Sequence, residues 1–331
     1  MLLGINHQIL PNADPAFYTE YWNSIKTWAQ CIRVDSHMSA FAWRVDPYTV
    51  YADGSTPSTH YKELALRAKA ANIAIDFIRD GFPTSPNWKA LGGDWSSFDE
   101  PNTWREWQLP KEVWSATNKW VTAMAKTMAD TKATLRWQGS NEQFYRGKDQ
   151  WAYERLKNIY SQATYSKPWL SPTLFGPRPQ LLKSLDEWLV WKRFDKAFAK
   201  PSIISVNVYP DWTPGVTIDT TSNLKRQVEN LILVNDWAER NNQIVTISEF
   251  GFEENQVPEG EQKRAELTAF TFKCMKFLPR IERAFLYWSQ EHYTFSPATL
   301  AKMGELIDLV PEKEAQDYID QIRSTSMSQT K

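Results

Sequence analysis

Short apolar runs rich in β-branched and aromatic residues alternate along this chain with longer segments whose apolar positions recur every three or four residues. The first pattern predicts buried strands and the second amphipathic helices. Eight strands are expected: Leu2–Asn6, Cys31–Asp35, Ile73–Ile78, Thr134–Gln138, Trp169–Leu174, Ile203–Val208, Ile244–Ser248 and Arg283–Trp288. Helical spacing marks Tyr61–Ala71, Pro110–Asp130, Gln150–Ser166, Leu181–Ala199, Asn223–Asn241 and Gly260–Leu278. Pro297–Leu309 would be the eighth helix, extended by Glu312–Ser324. Strands that alternate with helices in this way predict a parallel sheet, and eight such units predict an α/β fold of the (β/α)8 (TIM) barrel type. No low-complexity linker interrupts the pattern, so one barrel is expected over 1–325, with 326–331 as a disordered tail.

Composition narrows the classes of function. A length of 331 residues suits a single α/β barrel. Apolar residues make up 42% of the chain, no apolar run approaches about 18 residues, and no membrane span is expected. Acids and bases are mixed, with a net charge of −1, which argues against a nucleic-acid partner; a monomer is expected. Cys31 and Cys274 lie far apart and read as buried free thiols. The four histidines show no metal-binding spacing, and no GxGxxG, P-loop or GxSxG motif is present, so neither metal nor cofactor is expected. The chain enters its first strand at once, with no basic leader: either it is made without a signal, or the signal has been removed.

Aromatic content changes the picture. Seventeen Trp, 13 Tyr and 16 Phe exceed the needs of a core, and indole faces suit flat sugar rings. The longest irregular segment, Gly81–Leu109, carries Trp88, Trp95, Trp104 and Trp107 and would overhang the C-terminal face of a barrel, where substrates sit. Some of these tryptophans are expected to pin the loop, and one or two, such as Trp88, to stack on sugar. Trp212, after the sixth strand, is a further candidate.

Two segments concentrate the chemistry. Trp137-Gln138-Gly139-Ser140-Asn141-Glu142 and Val245-Thr246-Ile247-Ser248-Glu249-Phe250-Gly251 each pass from an apolar strand into a carboxylate and then a loop. Glu142 and Glu249 stand 107 positions apart. Three β/α units of about 31 residues span about 93, so this separation suits strands four and seven with modest insertions. Two carboxylates at the rim are the minimum for cleaving a glycosidic bond. Arg33 interrupts the apolar second strand, which is costly unless a carboxylate faces it; Glu249 is the natural partner. Asn207 and Tyr209 end the sixth strand, Trp288 ends the eighth, and His37 follows the second and could line the cleft.

Arg33, Asn141-Glu142, Tyr209, Glu249 and Trp288, in that order over nearly the whole chain, resemble the retaining glycoside hydrolases of clan A. Within that clan the pattern resembles the cellulase and mannanase family numbered five. The resemblance implies that Glu249 is an ionised nucleophile kept so by Arg33 and Tyr209, and that Glu142 is the acid and base. It implies further that Asn141 bonds the sugar 2-hydroxyl and that Trp288 floors the −1 subsite. The chain departs from the family at two histidines. Asn207 stands two residues before the tyrosine, and the third strand ends Phe77-Ile78-Arg79-Asp80-Gly81 with no histidine following. An endo-acting retaining enzyme on a β-linked glucan or mannan is the leading expectation. An exo-acting β-glycosidase on short oligosaccharides, or a glycan-binding barrel without turnover, are the alternatives; pure binding would not require both glutamates together with Asn141 and Tyr209.

Overall fold

The computed structural model of the chain describes residues 1–7, 15–35, 56–78, 123–138, 169–174, 178–194, 201–210, 219–288 and 295–328. Eight strands, β1 (Leu2–His7), β2 (Cys31–Asp35), β3 (Ala74–Ile78), β4 (Leu135–Gln138), β5 (Trp169–Leu174), β6 (Pro201–Asn207), β7 (Val245–Phe250) and β8 (Ile281–Leu286), close in sequence order into one barrel. Every neighbouring pair is parallel, including β8 with β1. The described helices are α1 (Pro15–Ile25), α2 (Pro57–Ala70), α3 (Arg178–Phe194), α4 (Thr220–Arg240), α5 (Glu261–Met275), α6 (Pro297–Ala301), α7 (Met303–Leu309) and α8 (Glu312–Ser328). Residues 123–130 are helical as well. This is a (β/α)8 barrel, as expected. Among the described residues no helix is long and apolar enough to cross a membrane.

Local chemistry sets the element ends. Thr56, Asp219 and Ser296 cap helices α2, α4 and α6 by accepting from the amides of Thr59, Ser222 and Thr299 at 3.1, 3.0 and 3.2 Å. Pro57 and Pro297 follow two of these caps, where no amide is needed. Helices α2 and α4 stop the same way. Asn72 and Asn242 take positive φ (55° and 49°), and the next amides, of Ile73 and Gln243, donate back to Ala68 O and Ala238 O at 2.8 Å. Asparagine tolerates this left-handed turn, which reverses the chain straight into β3 and β7.

Several expectations are revised. Pro297–Leu309 is two helices broken at Lys302 rather than one. Residues 326–328, assigned to a tail, continue α8. Helix α1 was not anticipated, although Tyr18, Tyr21, Trp22 and Ile25 lie on one buried face. The segments 81–109 and 150–166 fall outside the described residues. Both cysteines are buried and free, and burial pushes the thiol of Cys274 up to about 12.

The apolar core lies mainly between the barrel wall and the helices, where Ile5, Val34, Ile75, Phe77, Val206 and Ile247 pack outward. The opposite rows of the strands carry an unusual load of polar residues. Arg33, Asp76, Arg136, Gln138, Ser205, Asn207 and Thr246 are all buried. Arg33, Asp76 and Arg136 lie abreast on adjacent strands. Barrel interiors are usually filled by branched apolar side chains, so this charge needs internal partners. Asp76 finds one inside, accepting from Arg283 across the barrel, and Arg136 pairs with the partly exposed Glu282. Burial raises the Asp76 carboxyl above the usual range against the pull of Arg283 and Arg136.

Candidate active site

Glu249 owes its position to one extra residue in β7. Against β6 the register runs Val206–Ile247 and then Asn207–Glu249. Against β8 it runs Ile247–Ala284 and then Phe250–Leu286. Both neighbours therefore detect the same bulge, at Ser248. Strict alternation would send Glu249 outward, since Thr246 lies in register with inward Arg283 and Ile247 belongs to the outer core. The bulge lets Ser248, paired with Ser205, and Glu249 both face inward. Phe250 then returns outward to pack on Phe272 of α5, ring centroids 4.7 Å apart.

The Glu249 carboxylate is held on both oxygens. Arg33 Nη1 donates to Oε1 at 2.6 Å, and the Tyr209 hydroxyl donates to Oε2 at 2.8 Å. The ion pair is almost free of solvent, with side-chain exposures of 1% and 8%. A charge-assisted contact this short in a dry site fixes the carboxylate plane as well as its charge. Arg33 has further partners on both sides. Its Nε faces Gln138 Oε1 at 3.5 Å. The amide of Asn6, turned with its oxygen toward the guanidinium, accepts from Nη1 at 2.9 Å and donates to Arg33 O at 3.2 Å. Asn6 and Gln138 were not among the expected residues. Their signal was a lone amide toward the end of a strand, one strand to one side of Arg33 and two to the other.

Tyr209 is positioned by α4. Gln227 Nε2 donates to Val208 O at 2.8 Å and Asn230 Nδ2 donates to Tyr209 O at 3.0 Å, so two buried amides clamp the exit of β6. The Val208 amide donates to Glu249 O at 2.8 Å, tying that exit to β7. Asn207 lies in register with Glu249 and is buried.

Thus Arg33, Asn207, Tyr209 and Glu249 converge at the C-terminal end of the barrel. Trp288 does not join them. It is 2% exposed, with its ring 5.2 Å from Tyr21 and 6.4 Å from Phe17 of α1, and its Nε1 donates to Phe295 O at 3.3 Å. Its ring packs between barrel and helix. Glu142, Asn141, His37, Trp88 and Trp212 lie outside the described residues.

The sequence matches no model of a known protein family, and no curated protein is significantly similar to it. Solved structures share its fold at low identity. An endo-β-1,4-mannanase from Thermotoga petrophila superposes with a TM-score of 0.60 at 11% identity, over 93% of this chain and 77% of that one. The catalytic domain of a GH26 endo-β-1,4-mannanase from Bacillus sp. JAMB-750 gives 0.58 at 13%, over 96% and 89%. Cel5A from Thermotoga maritima, in a mutant form with cellobiose, gives 0.51 at 15%, over 92% and 96%. At these identities the likeness is one of fold.

Proposed function

We propose that this protein is a retaining β-glycoside hydrolase in which Glu249 is the nucleophile and Glu142 the acid and base. The observation that carries the reading is the Glu249 carboxylate, brought inward by a strand bulge and held by Arg33 on one oxygen and Tyr209 on the other. A structural ion pair would have no need of a bulge that turns the carboxylate toward the barrel mouth, nor of a tyrosine hydroxyl on its second oxygen.

The chemistry follows from that geometry. A Glu249 oxygen attacks the anomeric carbon while the bond to the departing oxygen breaks, and Glu142 supplies the proton that this oxygen needs. The product is a glycosyl ester on Glu249. Ester formation removes the carboxylate charge from Arg33, and Asn6 and Gln138 keep the guanidinium in place meanwhile. Water deprotonated by Glu142 then attacks the same carbon, the ester bond breaks, and Glu249 returns as a carboxylate. No cofactor enters this scheme.

For substrate, we propose a β-linked polysaccharide of the glucan or mannan type, cut internally. The abundance of tryptophan favours several stacking subsites. Two of the proteins that share the barrel are named as endo-β-1,4-mannanases, and a third was solved with cellobiose. Release of reducing sugar from carboxymethylcellulose, mixed-linkage glucan, glucomannan, galactan and xylan tests the reading. Activity on at least one glucan or mannan that disappears in Glu249→Ala supports it. Activity confined to an aryl monosaccharide would replace endo with exo action. Oligosaccharide binding with no release from any substrate would make the chain a binding barrel.

A further inference from the structure

The end of β8 presents two adjacent aromatic residues, and their placement is opposite to what position in the sequence suggests. Along β8, Arg283 reaches across the barrel interior to Asp76, and Phe285 clusters inside with Cys31 and Ala74. Side chains alternate along a strand, so Tyr287 is next on the inner side and Trp288 on the outer. The contacts agree. Trp288 is packed against α1, whereas Tyr287 is only half-buried. The Tyr287 ring meets that of Tyr209 edge to face, centroids 6.2 Å apart and planes at 89°. Its backbone is tied to the neighbour of Glu249, because the Tyr287 amide donates to Phe250 O at 2.8 Å. Tyr287, on the β8 side, thus stands against the tyrosine whose hydroxyl holds the carboxylate.

We infer that Tyr287, and not Trp288, is the aromatic residue that contacts the sugar whose anomeric carbon faces Glu249. The inference rests on the proposed glycosidase reading. A sugar ring seated over the Glu249 carboxylate is bounded on the β8 side by the phenol of Tyr287, which offers a flat apolar face and a hydroxyl at its edge. The same ring braces Tyr209, so the residue that receives the sugar also steadies the hydroxyl bonded to Glu249.

The test compares Tyr287→Ala, Tyr287→Phe and Trp288→Phe with the wild type, on the polysaccharide the wild type cleaves best. Oligosaccharide affinity is measured by calorimetry in a Glu249→Gln background, alongside Tm. Tyr287→Ala is expected to lose about tenfold or more in both kcat/KM and affinity. Tyr287→Phe, which keeps the ring, is expected to recover most of the lost affinity. Trp288→Phe is expected to shift Tm while leaving kcat/KM near that of the wild type. Unchanged affinity in Tyr287→Ala, or loss of affinity in Trp288→Phe at an unchanged Tm, would overturn the assignment. Failure of the glycosidase reading would show separately, as a wild type that neither cleaves nor binds any β-glycan, and would remove the inference with it.

Discussion

Breaking the Arg33–Glu249 pair from one side should cost far more than replacing it from both. The pair is 2.6 Å long and nearly dry, at 1% and 8% exposure, so solvent screening that devalues surface pairs does not apply. Removing one partner of a buried pair strands the other charge, at about 3–5 kcal/mol. For a domain larger than about 250 residues, each kcal/mol moves Tm by about 2 °C, so Arg33→Met is expected to fall by about 6–10 °C. Glu249→Gln, which strands the guanidinium, should fall by a comparable amount. The double variant carries no stranded charge and should be no less stable than either single variant, so the coupling should reach about 3 kcal/mol or more. Bonds from Arg33 to Asn6 and Gln138 disappear in both variants that lack Arg33, so they cancel in the coupling. Urea unfolding of the four proteins, followed by circular dichroism at one pH, measures it. Additive losses, or a Tm that rises in Glu249→Gln, would refute the claim that the guanidinium stabilises this carboxylate.

Three further outcomes follow from single contacts. Tyr209→Phe removes a 2.8 Å hydrogen bond to a charged group, worth about 1.5–3 kcal/mol, so kcat/KM should fall about ten- to a hundredfold with a circular dichroism spectrum like the wild type's; an unchanged rate would place that bond outside the mechanism. Burial raises the Asp76 carboxyl, opposed by Arg283 and Arg136. From the unfolded value of about 3.9 up to that raised value the folded state holds more protons, so stability should decline as pH rises across the interval. Asp76→Asn, neutral at every pH like the protonated acid, should lose this slope; urea midpoints at a series of pH values would expose an unchanged slope. Gly4→Ala would set a Cβ 2.6 Å from Cys31 Sγ and closer still to Cys31 O. Backbone cannot yield as a side-chain tip can, so a loss of about 1–3 kcal/mol or more is expected in thermal unfolding, and a neutral substitution would mean that β1 and β2 are farther apart.

The barrel was legible because each strand is a short apolar run bounded by polar turns, a signal that survives errors of one or two residues at the ends. Predicted Ile203–Val208 and observed Pro201–Asn207 differ by such a margin. Glu249 was legible for a reason that strand alternation alone would have denied. Periodicity puts it on the outer face, and the bulge at Ser248 reverses that, but a bulge leaves no mark in apolar spacing. Trp288 shows the complementary limit of apolar spacing. It ends an apolar run, yet the strand stops at Leu286, and the phase set by Arg283 and Phe285 gives the inner position to Tyr287. Arg33 announced itself as a charge in an apolar strand. Asp76, Arg136 and Arg283 carry the same signal, and the pairing of Asp76 with Arg283 and of Arg136 with Glu282 became visible only once β3, β4 and β8 were closed around one interior.

If Glu249 bonds covalently to the sugar, that bond can be trapped. An activated aryl glycoside carrying fluorine at position 2 forms such an ester and then hydrolyses slowly, because fluorine destabilises the oxocarbenium-like transition state of both steps. Intact-protein mass spectrometry after incubation with the gluco and manno reagents, followed by sequencing of the peptide spanning 245–251, locates the label. One added glycosyl group is expected, carried by Glu249 and absent from Glu249→Gln. A label on another residue, or an active wild type that releases product of inverted configuration and accumulates no adduct, would contradict it.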